Sequence, residues 1–220
     1  FARNPVFLVR HYGLGGVVLW IFGSGAIWRM EKQVLESDED KVAMDFKVSI
    51  QNESNMIAVA GSILAQIAIT ALSLSNLSQV HWVARAFFTF SLVSAIIAVY
   101  YASDQYRILG RHLNCEDVKA WIRNDRLAGY GIDQYGEFMP SPAAVLTVSA
   151  PNMLLSASLN SFLLGLGTYL AYVWTRHLDT TASTNDSRAI FITYVVSLTV
   201  CYGIYELSGL VLVRRSYSTE

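Results

Sequence analysis

Hydrophobic positions along this chain gather into four long runs, Met56–Leu74, Val83–Ala102, Pro151–Thr175 and Ala189–Val213, of 19, 20, 25 and 25 residues. At about 1.5 Å rise per residue, each run spans or nearly spans a hydrocarbon core roughly 30 Å thick. Two runs carry no ionised side chain, one carries only Arg85 and one only Glu206. Backbone polar groups in lipid must be satisfied within the segment, so uninterrupted runs of this length predict helices. The expected fold class is an all-α integral membrane protein, a bundle of four or five transmembrane helices.

A fifth run, Tyr12–Trp28, is 17 residues long and contains Gly13, Gly15, Gly16, Gly23 and Gly25. It reads either as a short span packed closely on its neighbours or as a re-entrant or interfacial segment. From Val42 to Gln51 the pattern changes to strict alternation, with Val42, Met44, Phe46, Val48 and Ile50 on one face. Period two predicts a strand. Ile27–Leu35 would pair with it across Glu36–Asp40 in a small β-hairpin outside the membrane.

Eight residues, Ser75–Trp82, connect the first two long runs, which must therefore be antiparallel neighbours. Helix is expected to continue past Ala102 to Arg111. Asn114, followed by Glu116 and Asp117, is placed to cap a further amphipathic helix with Val118, Trp121 and Ile122 on one face and Lys119, Arg123 and Asp125 polar. That pattern suits a helix at a membrane interface. Gly129–Pro142 reads as an irregular loop. Ala143–Ala150 is apolar again and leads into Pro151, where a kink or a helix restart is expected. The chain thus divides into 1–55, 56–102, 103–150 and 151–220.

Composition agrees with a membrane protein: 53% of residues are hydrophobic and 15% charged, against roughly 25% charged in ordinary soluble domains. A net charge of −1 gives no sign of a nucleic-acid surface. Cys115 and Cys201 are too few and too far apart in sequence for a disulfide framework or metal-ligand spacing. No metal or cofactor is expected. The opening residues carry no recognisable cleavable signal peptide, and Phe1 in place of Met suits a processed or partial chain. Placing the 103–150 loop and the C-terminus in the cytoplasm gives that side eleven basic residues, among them Arg107, Arg111, Lys119, Arg214 and Arg215, against Arg176, Arg188 and the N-terminal Arg3 and Arg10. In that orientation the Asn-x-Ser triplets at Asn52, Asn76 and Asn185 are poorly placed for glycosylation.

Polar residues inside the spans are the candidate functional positions. Ser62, Gln66, Thr70 and Ser73 form a stripe along the first run, and Thr193, Ser197, Cys201, Tyr205 and Ser208 form another along the last. Such a stripe lines a water-filled path when several subunits enclose it, or else serves as hydrogen-bonding glue between helices. Glu206 is the only acid within a span, either a proton- or cation-binding carboxyl or a neutral structural one. Asn152, Ser156 and Asn160 share a helix face at its expected depth, with Tyr101 and Asp104 on the same side. Arg85 enters from the opposite surface, near His81. Ala157, Ser161 and Gly165 have the small-xxx-small spacing of helix packing. All four histidines, His11, His81, His112 and His177, lie near span ends, and His81 with His177 on one side are candidates for pH sensing. No catalytic motif is present.

The wording Leu77-Ser78-Gln79-Val80-His81-Trp82 and Ala84-Arg85-Ala86-Phe87-Phe88, within Asn55–Ser94, resembles uncharacterised multi-pass membrane proteins of filamentous fungi. The resemblance covers about a fifth of the chain, implies a eukaryotic membrane and transfers no activity or site residue. Two functions remain. One is a homo-oligomeric channel for ions or small solutes. The other is a non-catalytic membrane scaffold or accessory subunit that binds a cytoplasmic protein. An enzyme acting on lipid is a distant third.

Overall fold

The structure, a computed structural model, describes residues 23–37, 39–74, 77, 79–112, 114–123, 140–176, 178 and 184–217. In the last helix, side chains are described from Asn185 through Tyr205 and at Leu207. Six helices lie within those residues: α1 Gly25–Glu36, α2 Asp40–Leu72, α3 Trp82–Arg111, α4 Cys115–Ile122, α5 Pro142–Arg176 and α6 Thr184–Tyr217. Four of them, α2, α3, α5 and α6, are long and apolar enough to cross a bilayer. The protein is a multi-pass helical membrane protein. Residues 12–22 of the glycine-rich run lie outside the described residues, and its last four, Gly25–Trp28, open α1.

The expected β-hairpin does not form. Val42–Gln51 belongs to α2 and Ile27–Leu35 to α1. Among the described residues the only strand-like pairing is an isolated antiparallel bridge between Arg123 and Pro140. The alternation was misleading because a second pattern runs through the same residues. Ala43, Phe46, Lys47 and Ile50 are the buried positions, at helical spacing, while Val48 is exposed. Neither glycine nor proline interrupts the chain between Asp40 and Gly61. A long apolar helix has already met the cost of nucleation, so each added residue gains a hydrogen bond cheaply.

Burial along α2 and α3 follows a coiled-coil rhythm of alternating three- and four-residue steps. On α2 the buried line is Ile50, Ser54, Ile57, Gly61, Leu64, Ala68 and Ala71; on α3 it is Ala84, Phe88, Ser91, Ala95, Ala98, Ala102, Gln105 and Leu109. Such a rhythm is the pattern of a seam between two closely packed helices. Its residues are mostly small. The large apolar side chains face outward instead, Met56, Val59, Ile63 and Ile69 on α2 and Phe90, Val93, Ile96 and Tyr100 on α3. Small inside and large outside suits a bundle whose solvent is lipid, where close backbone approach rather than hydrophobic transfer holds helices together. At Gly61 the approach is closest: a Cβ there would lie 2.8 Å from Val99 Cγ2 and 3.4 Å from the Ala95 carbonyl oxygen.

The chain forms two compact units. The first comprises residues 1–68 and 90–159. Its core joins Val34 of α1, Ala43, Phe46 and Ile50 of α2, Leu109 of α3, Val118 and Ile122 of α4 and Val148 of α5. The ends of α2 and α3 that carry charged residues are thus not bare extensions, because α1 and α4 pack on them. Lys47 Nζ donates to the His112 carbonyl at 2.7 Å, and Lys119 Nζ to the Ser37 carbonyl at 2.9 Å. Buried Ser54 donates to the Ile50 carbonyl at 2.8 Å and lies 3.1 Å from Gln105 Oε1. The amphipathic helix predicted after Asn114 is α4, with Asn114 extended at its N-terminus but making no side-chain cap. Its apolar face meets protein, since Val118 and Ile122 are fully buried. Across the loop, Ser141 N donates to the Ile122 carbonyl at 2.9 Å, and Pro142 then opens α5, a favoured place for proline. Pro151 stays inside a continuous α5 rather than restarting it.

The second unit comprises residues 69–89 and 160–220. Ala71, Leu77, Val80, Ala84 and Phe88 form its core, with Phe162, Leu166, Tyr169, Tyr172 and Leu178 packed on it. A Cβ on Gly165 would meet the Phe88 ring at 3.0 Å, and the Phe88 and Phe162 rings lie 5.6 Å apart. Helix α6 lies on α5 through few groups. Phe191 stacks on Trp174 at 5.7 Å, and the Tyr194 ring covers Gly167 while its hydroxyl donates to the Leu163 carbonyl at 2.5 Å. Ser187, Phe191, Tyr194 and Leu198 are half-buried, and no described α6 side chain is fully buried.

Candidate functional site: outward polar stripes and a buried carboxyl

The α2 stripe lies off the face that α2 turns to α3. Ser62, Gln66, Thr70 and Ser73 are all exposed, off the line Gly61, Leu64, Ala68 and Ala71 that faces α3. Two of the hydroxyls are satisfied locally, Ser62 Oγ on the Ala58 carbonyl at 2.8 Å and Ser73 Oγ on the Thr70 carbonyl at 2.7 Å, and Gln66 and Thr70 also take part in polar contacts. On α6, Thr193, Ser197, Cys201 and Tyr205 are likewise exposed, and Thr193 Oγ1 donates to the Ala189 carbonyl at 2.9 Å. The described members of both stripes are exposed in the single chain.

Asn152, Ser156 and Asn160 share an exposed face of α5, as their spacing requires. Asn160 is brought to α6, where its Oδ1 accepts from the Tyr202 hydroxyl. Glu206 lies one turn beyond Tyr202 in α6, but its side chain falls outside the described set. In the small-residue row, Ala157 is half-buried while Ser161 and Gly165 are buried. Ser158, beside that row, makes the buried polar contact: its Oγ donates to the Ser91 carbonyl at 2.6 Å. Arg85 is exposed. His81 stacks on Tyr172 at 5.7 Å and accepts from Val83 N at 3.4 Å. His11, His177, Asn76 and the loop residues 129–139 lie outside the described residues, as does the Ser208 side chain.

Sequence reasoning missed the most unusual polar group. Glu31 is fully buried on α1, and neither carboxyl oxygen has a hydrogen-bond partner. Burial without a partner pushes its pKa up to about 9, from an ordinary 4.5. The signal was present in the spacing of Ile27, Trp28, Glu31, Val34 and Leu35, which places the acid in the middle of one apolar face. It was hidden by assigning that stretch to a strand. At the start of α2 and α4, one ligand-type atom from each of Asp40, Cys115 and Glu116 lies within 4.8 Å of the others. The neighbouring Asp40 carboxylate, through hydrogen bonding and charge, raises the Cys115 thiol pKa. That favours a protonated thiol, a poor metal ligand.

No protein-family model matches the chain, and no curated protein or solved structure gives a significant match.

Proposed function

We propose that the protein is a homo-oligomeric membrane channel or permeation pathway for ions or small solutes, with the Ser62, Gln66, Thr70 and Ser73 face of α2 lining the path. The observation that carries this reading is the outward direction of that stripe. An amide turned toward hydrocarbon is unfavourable even when partly bonded, whereas a water-filled path or a matching face on a second copy compensates it. One bundle of four spans leaves little room for an aqueous pore, so the path requires symmetry between copies. Glu206, near the end of α6, would tune cation selectivity or gating, and the orientation with residues 103–150 and the C-terminus in the cytoplasm follows the basic-residue bias.

The scaffold reading has less support. It would use the apolar face of α4 to hold a cytoplasmic partner, and Val118 and Ile122 already serve the protein's own core.

Mass measurement of the protein in nanodiscs, followed by liposome flux, tests the channel. A ring of three or more copies is expected, with flux altered by Gln66→Leu and by Glu206→Gln. A monomer, or flux indifferent to both substitutions, would overturn it.

A further inference from the structure

Glu31 is fully buried in the first unit, one turn from buried Trp28 on one side and from buried Val34 on the other. Trp28 packs on Val145 of α5, and Val34 belongs to the core built from α2, α3, α4 and α5. The carboxyl therefore stands at the centre of the surface by which α1 docks. An ionised carboxylate there would be buried without a hydrogen bond to offset its desolvation.

Among the described residues, no charged group on the elements packed against α1 hydrogen-bonds the Glu31 carboxyl. On α1 itself, Arg29 Nε donates to the Gly25 carbonyl at 3.2 Å and Lys32 pairs with Glu36 at 3.2 Å. On α2, Lys47 is held by the His112 carbonyl, Asp40 lies beside Cys115, and Lys41 and Asp45 are exposed. At the end of α3, Arg107 pairs with Asp104 at 3.6 Å, Arg111 is exposed, and the His112 ring lies against Trp121. On α4, Lys119 is held by the Ser37 carbonyl, and Glu116 and Asp117 are exposed acids that offer no cation. Arg123, just after α4, is engaged in other contacts, and the α5 segment Pro142–Ala150 has no ionisable side chain.

We propose that Glu31 is a proton-binding site whose occupancy holds α1 on the first unit, so that loss of the proton favours release of α1 from α2, α4 and α5. The site takes a proton: Glu31 lies on the apolar face of α1 between buried Trp28 and Val34, and both of its carboxyl oxygens lack hydrogen-bond partners. The proposal does not rest on the channel reading, and it concerns a different part of the molecule from the α2 stripe. The docked state holds one proton that the released state gives up above the ordinary carboxyl pKa. Release must then become easier as pH rises, by up to about tenfold per unit.

Two measurements on the full chain in nanodiscs test it. Hydrogen exchange of α1 amides, corrected for intrinsic exchange, should lose protection by nearly tenfold per pH unit between about pH 5 and about pH 9, and Glu31→Gln should abolish that slope. Infrared difference spectra of the unaltered protein should show the carbonyl stretch of a neutral carboxylic acid at pH 7 that disappears on alkalinisation. Equal slopes in the two proteins would overturn the proposal. So would an infrared spectrum in which no buried carboxylic acid is protonated at pH 7, a result that does not depend on the variant folding.

Discussion

Ser158 on α5 donates its hydroxyl proton to the Ser91 carbonyl of α3 at 2.6 Å, and the two hydroxyl oxygens lie 3.1 Å apart, both side chains fully buried. With the Ser158 proton committed, the Ser91 hydroxyl is the donor in the second contact. The pair fixes α3 against α5 where an all-apolar surface would leave the register loose. Ser158→Ala should destabilise the first unit by about 1 kcal/mol, near the measured range for interhelical hydrogen bonds in membranes. Ser158→Leu should cost more, because overpacking a closed seam adds strain. Unfolding by a denaturing detergent, compared across the two variants, checks the order.

Gly61 and Gly203 are both helical glycines in apolar spans and should respond oppositely. A methyl at Gly61 meets Val99 at 2.8 Å, a β-branched side chain with little freedom to retreat, whereas at Gly203 nothing lies within 4 Å. Gly61→Val should lower stability by about 1 to 3 kcal/mol through overpacking. Gly203→Ala should be neutral or gain up to about 1 kcal/mol from helix propensity. Thermal melts of the two variants in one detergent give the comparison.

At pH 7 Glu31 should be a stability liability. Its folded pKa, about 9, lies above the unfolded 4.5, so the folded unit binds more protons between those values and loses stability as pH rises through them, levelling off above the folded value. At pH 7, two and a half units above the unfolded value, the accumulated loss is about 3 kcal/mol. Glu31→Met should therefore raise the melting temperature at pH 7 and flatten its fall between pH 5 and pH 8. A variant less stable than the parent at pH 7, with an unchanged pH profile, would contradict this.

Single cysteines along α2 should separate a lined path from a lipid-facing stripe. In a background lacking Cys115 and Cys201, substitutions at Ser62, Gln66 and Thr70 should react with a membrane-impermeant thiol reagent. Those at Ile63 and Ile67, also exposed but apolar, should not. Uniform protection of all five positions would place the stripe in lipid or in a dry interface.

The sequence by itself determined the class and the span positions, because the bilayer makes length and apolarity sufficient to predict a helix. It also showed the antiparallel α2–α3 pair, the continuation of α3 to Arg111 and the helix after Asn114. Which face of each helix is buried was decided only by tertiary packing. Large apolar residues point outward and small ones to the seam, so the usual guide to an interior is reversed, and the polar stripes had no direction until the seam was known. The Val42–Gln51 alternation failed because the two periods overlap over ten residues, and contacts to α1 and α4, distant in sequence, chose between them. Glu31 became visible for the same reason: its environment comes from helices joined to α1 by folding rather than by sequence, and a one-dimensional pattern records the acid without the apolar walls around it.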